Sequence, residues 1–552
     1  MLILSLLIGC KSDDEPEVTT STIPDGILVL ETPGDLAWMA DGPAQVSGLA
    51  DNIDSLTLNN LPVTITDSTF SESVTLSRGI NHLVAVGVDV SGDTITERAT
   101  VLAGDFASPG NPMSDVLSVH LGQAGLNAIE TAAASALDPS LLLDKEGTIN
   151  PIYSNHPIVG SWLDADLIGL SFSTAEISTI PTGGALEATI ILPELVIDID
   201  SYGEVAWIDY SMDVQMTADA AVITAEIMIE VVDGELEVLM VDPEIELQGF
   251  AYDLSILPNF IEGYFFVETI QGTIEDMLVE QANEMVPTMI DEALTGLTFA
   301  TTLDLLGTEL SIAAEFADVN INTEGVELDM DVNVVVPGSG SVSYAGYLVA
   351  PDHSTPQHNT DDPLSLLLSD DLINRSLFEL WRGGALSMML STEDGSLDPT
   401  TIDGYPLDSA TIQIQPQLPP VLVNGESDLQ LQLQAGAIDV SISTPGATFG
   451  ENISLRMTMI ADFSIAVSDD MIQPQLGEIS LDIEVLESDW AIPNSSVSEL
   501  VEWALPQEDL IIMVSEMSIA LPSLGGITIS SAAISHDEDT FHSAISVDFA
   551  IE

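Results

Sequence analysis

The chain has 552 residues, is 46% hydrophobic, and carries seven Lys plus Arg against 90 Asp plus Glu, a formal net charge of −83 at pH 7. That length asks for about two to four domains, and the charge excludes electrostatic capture of nucleic acid. The apolar content excludes ordinary acidic disorder, and no interior run approaches the ~20 apolar residues of a membrane-spanning helix. Carboxylates spread along the whole chain read as a solvated surface suited to high salt, with a cation-binding surface as the alternative.

The opening "MLILSLLIGCKSDDE" holds the single cysteine, Cys10, so no disulfide forms within the chain. An apolar run ending in Leu7-Ile8-Gly9-Cys10 resembles the lipobox of bacterial lipoproteins. That resemblance implies a signal peptide over 1–9 and acylation of Cys10, palmitate included, as an anchor in a bacterial membrane. Lys11 and Ser12 after the cysteine resemble the pattern sorted to the outer membrane, on either its periplasmic or its surface face. The other reading is an ordinary signal peptide with an incidental cysteine. Residues 10–24 are acidic and rich in Thr, Ser and Pro, the composition of a flexible tether.

Residues 25–105 predict a small all-β domain: short alternating runs such as "DSLTLNN" and "HLVAVGVDV" lie between turn residues. Gly79-Ile80-Asn81 and Gly87-Val88-Asp89-Val90-Ser91-Gly92 resemble bacterial immunoglobulin-like modules, which implies a spacer.

From 106 to 348 the pattern changes. A strand through Val119 and Leu121 leads into a helix with Leu126, Ile129, Ala133 and Leu137 on one face. Long alternating strands follow: Ile208, Tyr210, Met212, Val214 and Met216 share one side, and Ile223, Ala225, Ile227, Ile229 and Val231 share one side of the next. Their acidic neighbours predict one wet face. A long helix then carries Ile270, Ile274, Met277, Leu278, Met285 and Met289 on its apolar stripe, and Pro287 predicts a kink.

"VAPDHSTPQHNTDDP", 349–363, reads as a linker. Beyond it, 364–552 repeats the order. "LSDDLINRSLFELWRGG" predicts a helix capped by Ser369 and ended by Gly383 or Gly384. Its apolar stripe is Ile373, Leu377, Leu380 and Trp381; Asp371, Arg375, Glu379 and Arg382 form an opposite stripe expected to face water. Leu431 and Leu433 alternate with glutamines, Leu455, Met457 and Met459 alternate with polar residues, and a second long helix is expected from Ser495 with Val497, Val501, Ala504 and Leu505 on one face.

This duplicated order resembles the tubular lipid-binding superfamily, in particular the family of the bactericidal/permeability-increasing and lipopolysaccharide-binding proteins. Three stretches carry the likeness: "VHLGQAGLNAI"; "LSDDLINRSLFELWRGGALSMML" with Ser369, Asn374, Phe378 and Gly384; and "PQLPPVLVNGESDLQLQLQAGAIDVSI" through Pro419-Pro420. The resemblance implies an α+β fold: two elongated antiparallel β-barrels, each wrapped round a long helix, joined end to end and preceded by the small all-β immunoglobulin-like domain. The barrels correspond to 106–348 and 364–552. It further implies apolar tunnels for a phospholipid or other acyl lipid. The chain departs from the family in lacking its first-barrel disulfide and its cationic tip, since the only Lys or Arg from 106 to 552 are Lys145, Arg375, Arg382 and Arg456.

The sequence has no G-x-S-x-G, no H-E-x-x-H, no phosphate loop and no EF-hand spacing. His353 and His358 in the linker, and His536 and His542 in "HDEDTFH", could ligate a metal, but exposed turns account for both pairs. No enzyme, metal or other cofactor is therefore expected. The expected function is a membrane-anchored lipid-binding, and lipid-transfer, lipoprotein. Its expected lining is Ile208, Tyr210, Met212, Val214, Ile274, Met277, Met285, Met289, Leu431, Met457 and Val501. The methionines fit core packing as readily as ligand lining. The rival is a structural or adhesive surface protein with packed barrels and a protein partner.

Overall fold

Strict alternation dictates the largest elements. In the strand Ile208–Val232, buried Val214, Met216 and Ala218 alternate with exposed Asp213, Gln215 and Asp219. Successive side chains on a strand point to opposite faces, so such a segment buries one face and wets the other. It pairs antiparallel with Leu186–Val205, in a hairpin that runs from Leu186↔Ile227 to Val205↔Ile208.

The computed structural model describes residues 26–137, 150–158, 161–205, 207–252, 267–297, 300–305, 308–338, 344–351, 357–402, 405–425, 431–447, 450–468, 471–490, 494–504, 514, 518–521, 528–537 and 540–550. The chain divides after Ala103 into two compact units. Cys10, its lipobox and the tether lie outside the described residues, as does His353.

The first unit is all-β, as its alternation predicts. One four-stranded sheet orders Ile27–Thr32, Gly42–Asp51, Thr69–Leu76 and Ile65–Thr66; a five-stranded sheet orders Trp38–Met39, Thr94–Ala103, Gly79–Asp89, Ile53–Leu58 and Leu61–Val63. Their shared core includes Val46, Leu58, Leu83 and Val101.

The second unit is α+β and holds three large antiparallel sheets, all open at their edges. A first curled sheet orders Tyr153–Ile158, Ser161–Ser171, Leu186–Val205, Ile208–Val232 and Glu235–Gln248. Helices α1 (Gln123–Ala136) and α2 (Val267–Thr295) pack on it. The buried stripe of α2 follows Ile270, Ile274, Leu278, Ala282, Val286 and Ile290, a row at four-residue steps. Such a row is inclined to the helix axis, so it drifts round the helix as it follows the curved sheet. Met285 and Met289 are therefore left half-buried at its margin.

A second curled sheet orders Met388–Ser391, Thr411–Pro416, Leu431–Ser443, Asn452–Ser468, Met471–Ser488 and Ile519–Ala520. Its inner face shares a core with two further helices, α3 (Asp370–Arg382) and α4 (Asn494–Ala504). Leu505, expected on the apolar face of α4, lies outside the described residues.

The third sheet joins the two halves. Its order is Ala300–Leu305, Thr308–Asn322, Gly325–Val335, Met113–Gly122, Leu364–Ser369, His542–Ala550 and Thr528–Asp537. The seam between the halves runs from Leu117↔Leu368 to Leu121↔Leu364. The sequence reading gave each half its own strands. In the structure the first and last strands of both halves make up this third sheet.

Candidate apolar binding site

At this seam lies an apolar cavity of about 110 Å³. Leu117 and Val119 of one central strand and Leu366 and Leu368 of its neighbour form one wall, joined by Leu310, Ile312 and Ile545. Leu372, Ile373 and Leu377 of α3 form a second wall, and Leu433, Phe463, Ile465, Ile472 and Pro474 of the second curled sheet a third. Ser376 is the single hydroxyl in the lining, and its Oγ donates to the Leu372 carbonyl one helical turn back at 2.8 Å. Among the described residues, the one hydroxyl offers a water too few partners, and apolar cavities of about 150 Å³ stay dry and take up benzene.

Helix α3 positions this lining. Ser369 Oγ accepts from the Asp371 amide at 3.2 Å, and Asp370 and Asp371 occupy the first turn where the helix dipole favours acids. Gly383 closes the helix, and Gly384, at φ +81°, turns the chain through a conformation that only glycine adopts without strain. The Asn374 amide acts as a strand edge: Nδ2 donates to the Leu422 carbonyl at 3.1 Å and Oδ1 accepts from the Leu422 N–H at 2.6 Å.

The stripe opposite the apolar one does not face water. The Arg375 side chain is 1% exposed and that of Glu379 0%. Arg375 Nε lies 3.2 Å from Glu379 Oε1, its Nη2 donates to the carbonyls of Pro109 and Val334, and its Cζ stands 5.0 Å from the Tyr347 ring centre. Arg382 closes on the same Glu379, and Asp371 Oδ1 accepts from the Ala350 N–H at 2.8 Å. The helix is covered on both sides, by the second curled sheet and by the segment around 347–350, so this stripe faces protein rather than water.

The residues expected to line a tunnel are distributed otherwise. Val214, Ile274, Met277, Leu431, Met457 and Val501 are buried in the cores, and Met285 borders a gap of about 20 Å³ beside Leu278 and Ala282. Met212 is half-buried, while Ile208, beside the hairpin end, is 62% exposed because the strand there overhangs the core. The side chain of Tyr210 lies outside the described residues. None of these residues borders the seam cavity. Its lining is gathered from strands and a helix of both halves, a juxtaposition that periodicity within one segment does not reveal.

Of the histidines expected on exposed turns, the three among the described residues, His358, His536 and His542, have buried side chains instead. The His536 side chain is 6% exposed, and its Nε2 lies 3.8 Å from Asp370 Oδ2 and 3.3 Å from Asn424 Oδ1. His542 Nδ1 contacts the Thr540 carbonyl at 2.6 Å. His358 packs against His120 on the central sheet. Turn composition alone concealed that these segments fold back onto strands. No cluster of three His, Cys, Asp or Glu able to hold a metal occurs among the described residues.

Neither a family model nor a curated relative matches the sequence. Among solved structures, P47 of Clostridium botulinum E1 matches 80% of this chain and 100% of that one at 10% identity and a TM-score of 0.29. Lipopolysaccharide binding protein matches 80% of this chain and 99% of that one at 13% identity and a TM-score of 0.44, a distant likeness of fold.

Proposed function

We propose that the protein binds lipids, and that the seam cavity takes a stretch of acyl chain or a comparably apolar group. The observation that carries this reading is the lining: side chains from two separate sheets and from helix α3 converge, and the one hydroxyl among the described lining residues donates within its own helix. Burial of each methylene contributes roughly 0.8 kcal/mol, which accumulates along an acyl chain against the cost of association. No covalent chemistry is needed. In the fuller proposal Cys10 is acylated and holds the chain to an outer membrane, 25–105 is an immunoglobulin-like spacer, and the two halves act as barrels that shelter acyl chains for transfer. A phospholipid is the proposed partner.

A specific observation favours a second reading, a packed scaffold with a protein partner: the gaps bordering α1 and α2 in the first half are each only about 20 Å³. Native mass spectrometry after gentle extraction separates the two. Lipid binding predicts co-purified lipid and uptake of a labelled phospholipid or fatty acid, both reduced at least tenfold by Leu433→Trp, which fills the cavity. Protein that repeatedly emerges empty and takes up neither probe sinks the lipid reading.

A further inference from the structure

His120 and His358 form a stacked pair, ring centres 5.5 Å apart, on the central sheet. His120 is 2% exposed, and neither of its ring nitrogens has a hydrogen-bond partner among the described residues. The His358 side chain is 4% exposed, with Nε2 2.9 Å from Ser118 Oγ and Nδ1 3.2 Å from Ser365 Oγ. It therefore pins the segment 357–363 to both strands of the seam. The Gly122 N–H adds a bond of 3.2 Å to the Pro363 carbonyl, and a Cβ at Gly122 would meet the Asp362 carbonyl oxygen at 2.6 Å. On these two strands Leu117, Val119, Leu366 and Leu368 face the cavity, so Ser118, His120 and Ser365 lie on the reverse of the same wall.

We propose that this histidine pair is a proton-operated latch: taking up a proton frees the segment 357–363 from the seam and loosens the wall of the apolar cavity, releasing what it holds. The control of ligand rests on the lipid-binding reading above; the latch itself does not.

Two cations stacked at this distance in a dry site repel each other, and the surroundings do little to offset that. The facing groups are Glu327, in register with His120, and Asp329 beyond it; Glu324 in the turn; and Asp361 and Asp362 on the segment itself. On the other side the register offers Ser365 and then Ser546, with no charge. Glu327 Oε1 is 3.9 Å from His358 Nε2, but burial and the nearby Asp329 push its own carboxyl up, toward the neutral form. Glu324 and Asp362 draw His120 upward, but burial outweighs them and lowers it. Burial first, and His120 second, hold His358 down at about 3. In an opened segment His358 reverts to about 6.5. The closed state is thus favoured above pH 6.5, and that advantage is lost as pH falls from 6.5 toward 3. Between pH 7.5 and 5.0, His358 alone raises the open population about 30-fold.

Hydrogen exchange on the full chain tests this, with rates corrected for intrinsic pH dependence. Peptides covering 357–369 and 113–122 are expected to lose protection about 30-fold or more on going to pH 5.0. In His358→Gln, which keeps partners for both serines but does not titrate, most of that loss disappears. The same pH dependence in a folded His358→Gln overturns the latch. If that variant does not fold, the histidine resonances of the unaltered protein decide: a His358 titrating near 6.5 overturns it, and one that takes up its proton only at lower pH, together with loss of protection in 357–363, supports it. A fluorescent fatty acid provides the second arm. Faster release at pH 5.0, lost in His358→Gln, supports control of the cavity. Opening without release overturns that control. A probe that binds at no pH counts against the lipid reading, and exchange then judges the latch alone.

Discussion

Arg375 and Glu379 form an ion pair with almost no contact with water, Nε to Oε1 at 3.2 Å, with both side chains at most 1% exposed. Breaking such a pair leaves the surviving charge uncompensated in a poorly polarisable medium. Glu379→Gln or Arg375→Gln is therefore expected to cost about 3–5 kcal/mol in chemical denaturation. Because both partners belong to one network, the double variant should cost clearly less than the sum. Additive losses would mean that the pair does not act as a unit.

Asn374 bridges α3 to the second curled sheet through both backbone groups of Leu422. Asn374→Ala strands a buried N–H and a buried carbonyl, each costing about 1–3 kcal/mol. A total loss of roughly 2–6 kcal/mol is expected from denaturant midpoints. Asn374→Asp is informative beside it. A carboxylate accepts from the Leu422 N–H but cannot donate to its carbonyl, so this variant should also be destabilised, though nearly isosteric. Wild-type stability in Asn374→Asp would show that the carbonyl bond contributes nothing.

The sequence revealed α3 in detail: its Ser369 cap, its glycine end and its apolar face all stand where the spacing puts them. It misread the opposite face, because pairing at i,i+4 looks the same on a wet helix as on one whose charges are answered by Pro109, Val334 and Ala350. Those partners lie 21 to 266 positions away, and periodicity carries no information about them. The alternating strands were legible for the same reason that the seam was not. A period of two fixes which face is buried, but not which distant strand lies alongside. The cavity inherits that blindness, since Val119 and Leu433 meet across it only after both halves have docked.

Asp89 organises the turn that ends Gly79–Asp89 in the first unit. Its Oδ1 accepts from the Ser91 N–H at 2.8 Å, the Ser91 hydroxyl at 2.7 Å and the Asp93 N–H at 2.9 Å. These bonds, the Ser91 hydroxyl first, hold the carboxyl down at about 2, below its ordinary 3.8. A depressed acid stabilises the fold above its unfolded pKa and loses that contribution as pH falls through the folded one. The Ser91 and Asp93 amides should therefore lose protection from about pH 4 down to about 2. Asp89→Asn retains an acceptor without titrating and should flatten that profile. An unchanged profile in the variant would assign the transition to other carboxyls.

On the wet face of the first curled sheet, Asp200 stands in register with Asp166 on one side and Asp213 on the other. Glu187↔Glu226 and Glu230↔Glu237 repeat the arrangement. Like charges directly opposite on neighbouring strands are unfavourable, at about 0.2–1 kcal/mol per pair. Added salt shortens the screening length from about 30 Å at 0.01 M to about 3 Å at 1 M. The melting temperature should thus climb across that range, and equally in NaCl and KCl, because screening does not depend on the identity of the ion. Asp200→Asn relieves two repulsions at once and can still accept from Ser211, which lies 3.5 Å from Oδ1. It should raise stability by about 0.5–1 kcal/mol in low salt and by almost nothing at 1 M. An equal gain at both salt concentrations would mean that the substitution acts through packing. A melting temperature indifferent to salt would mean that the acidic ladder is already neutralised by bound cations.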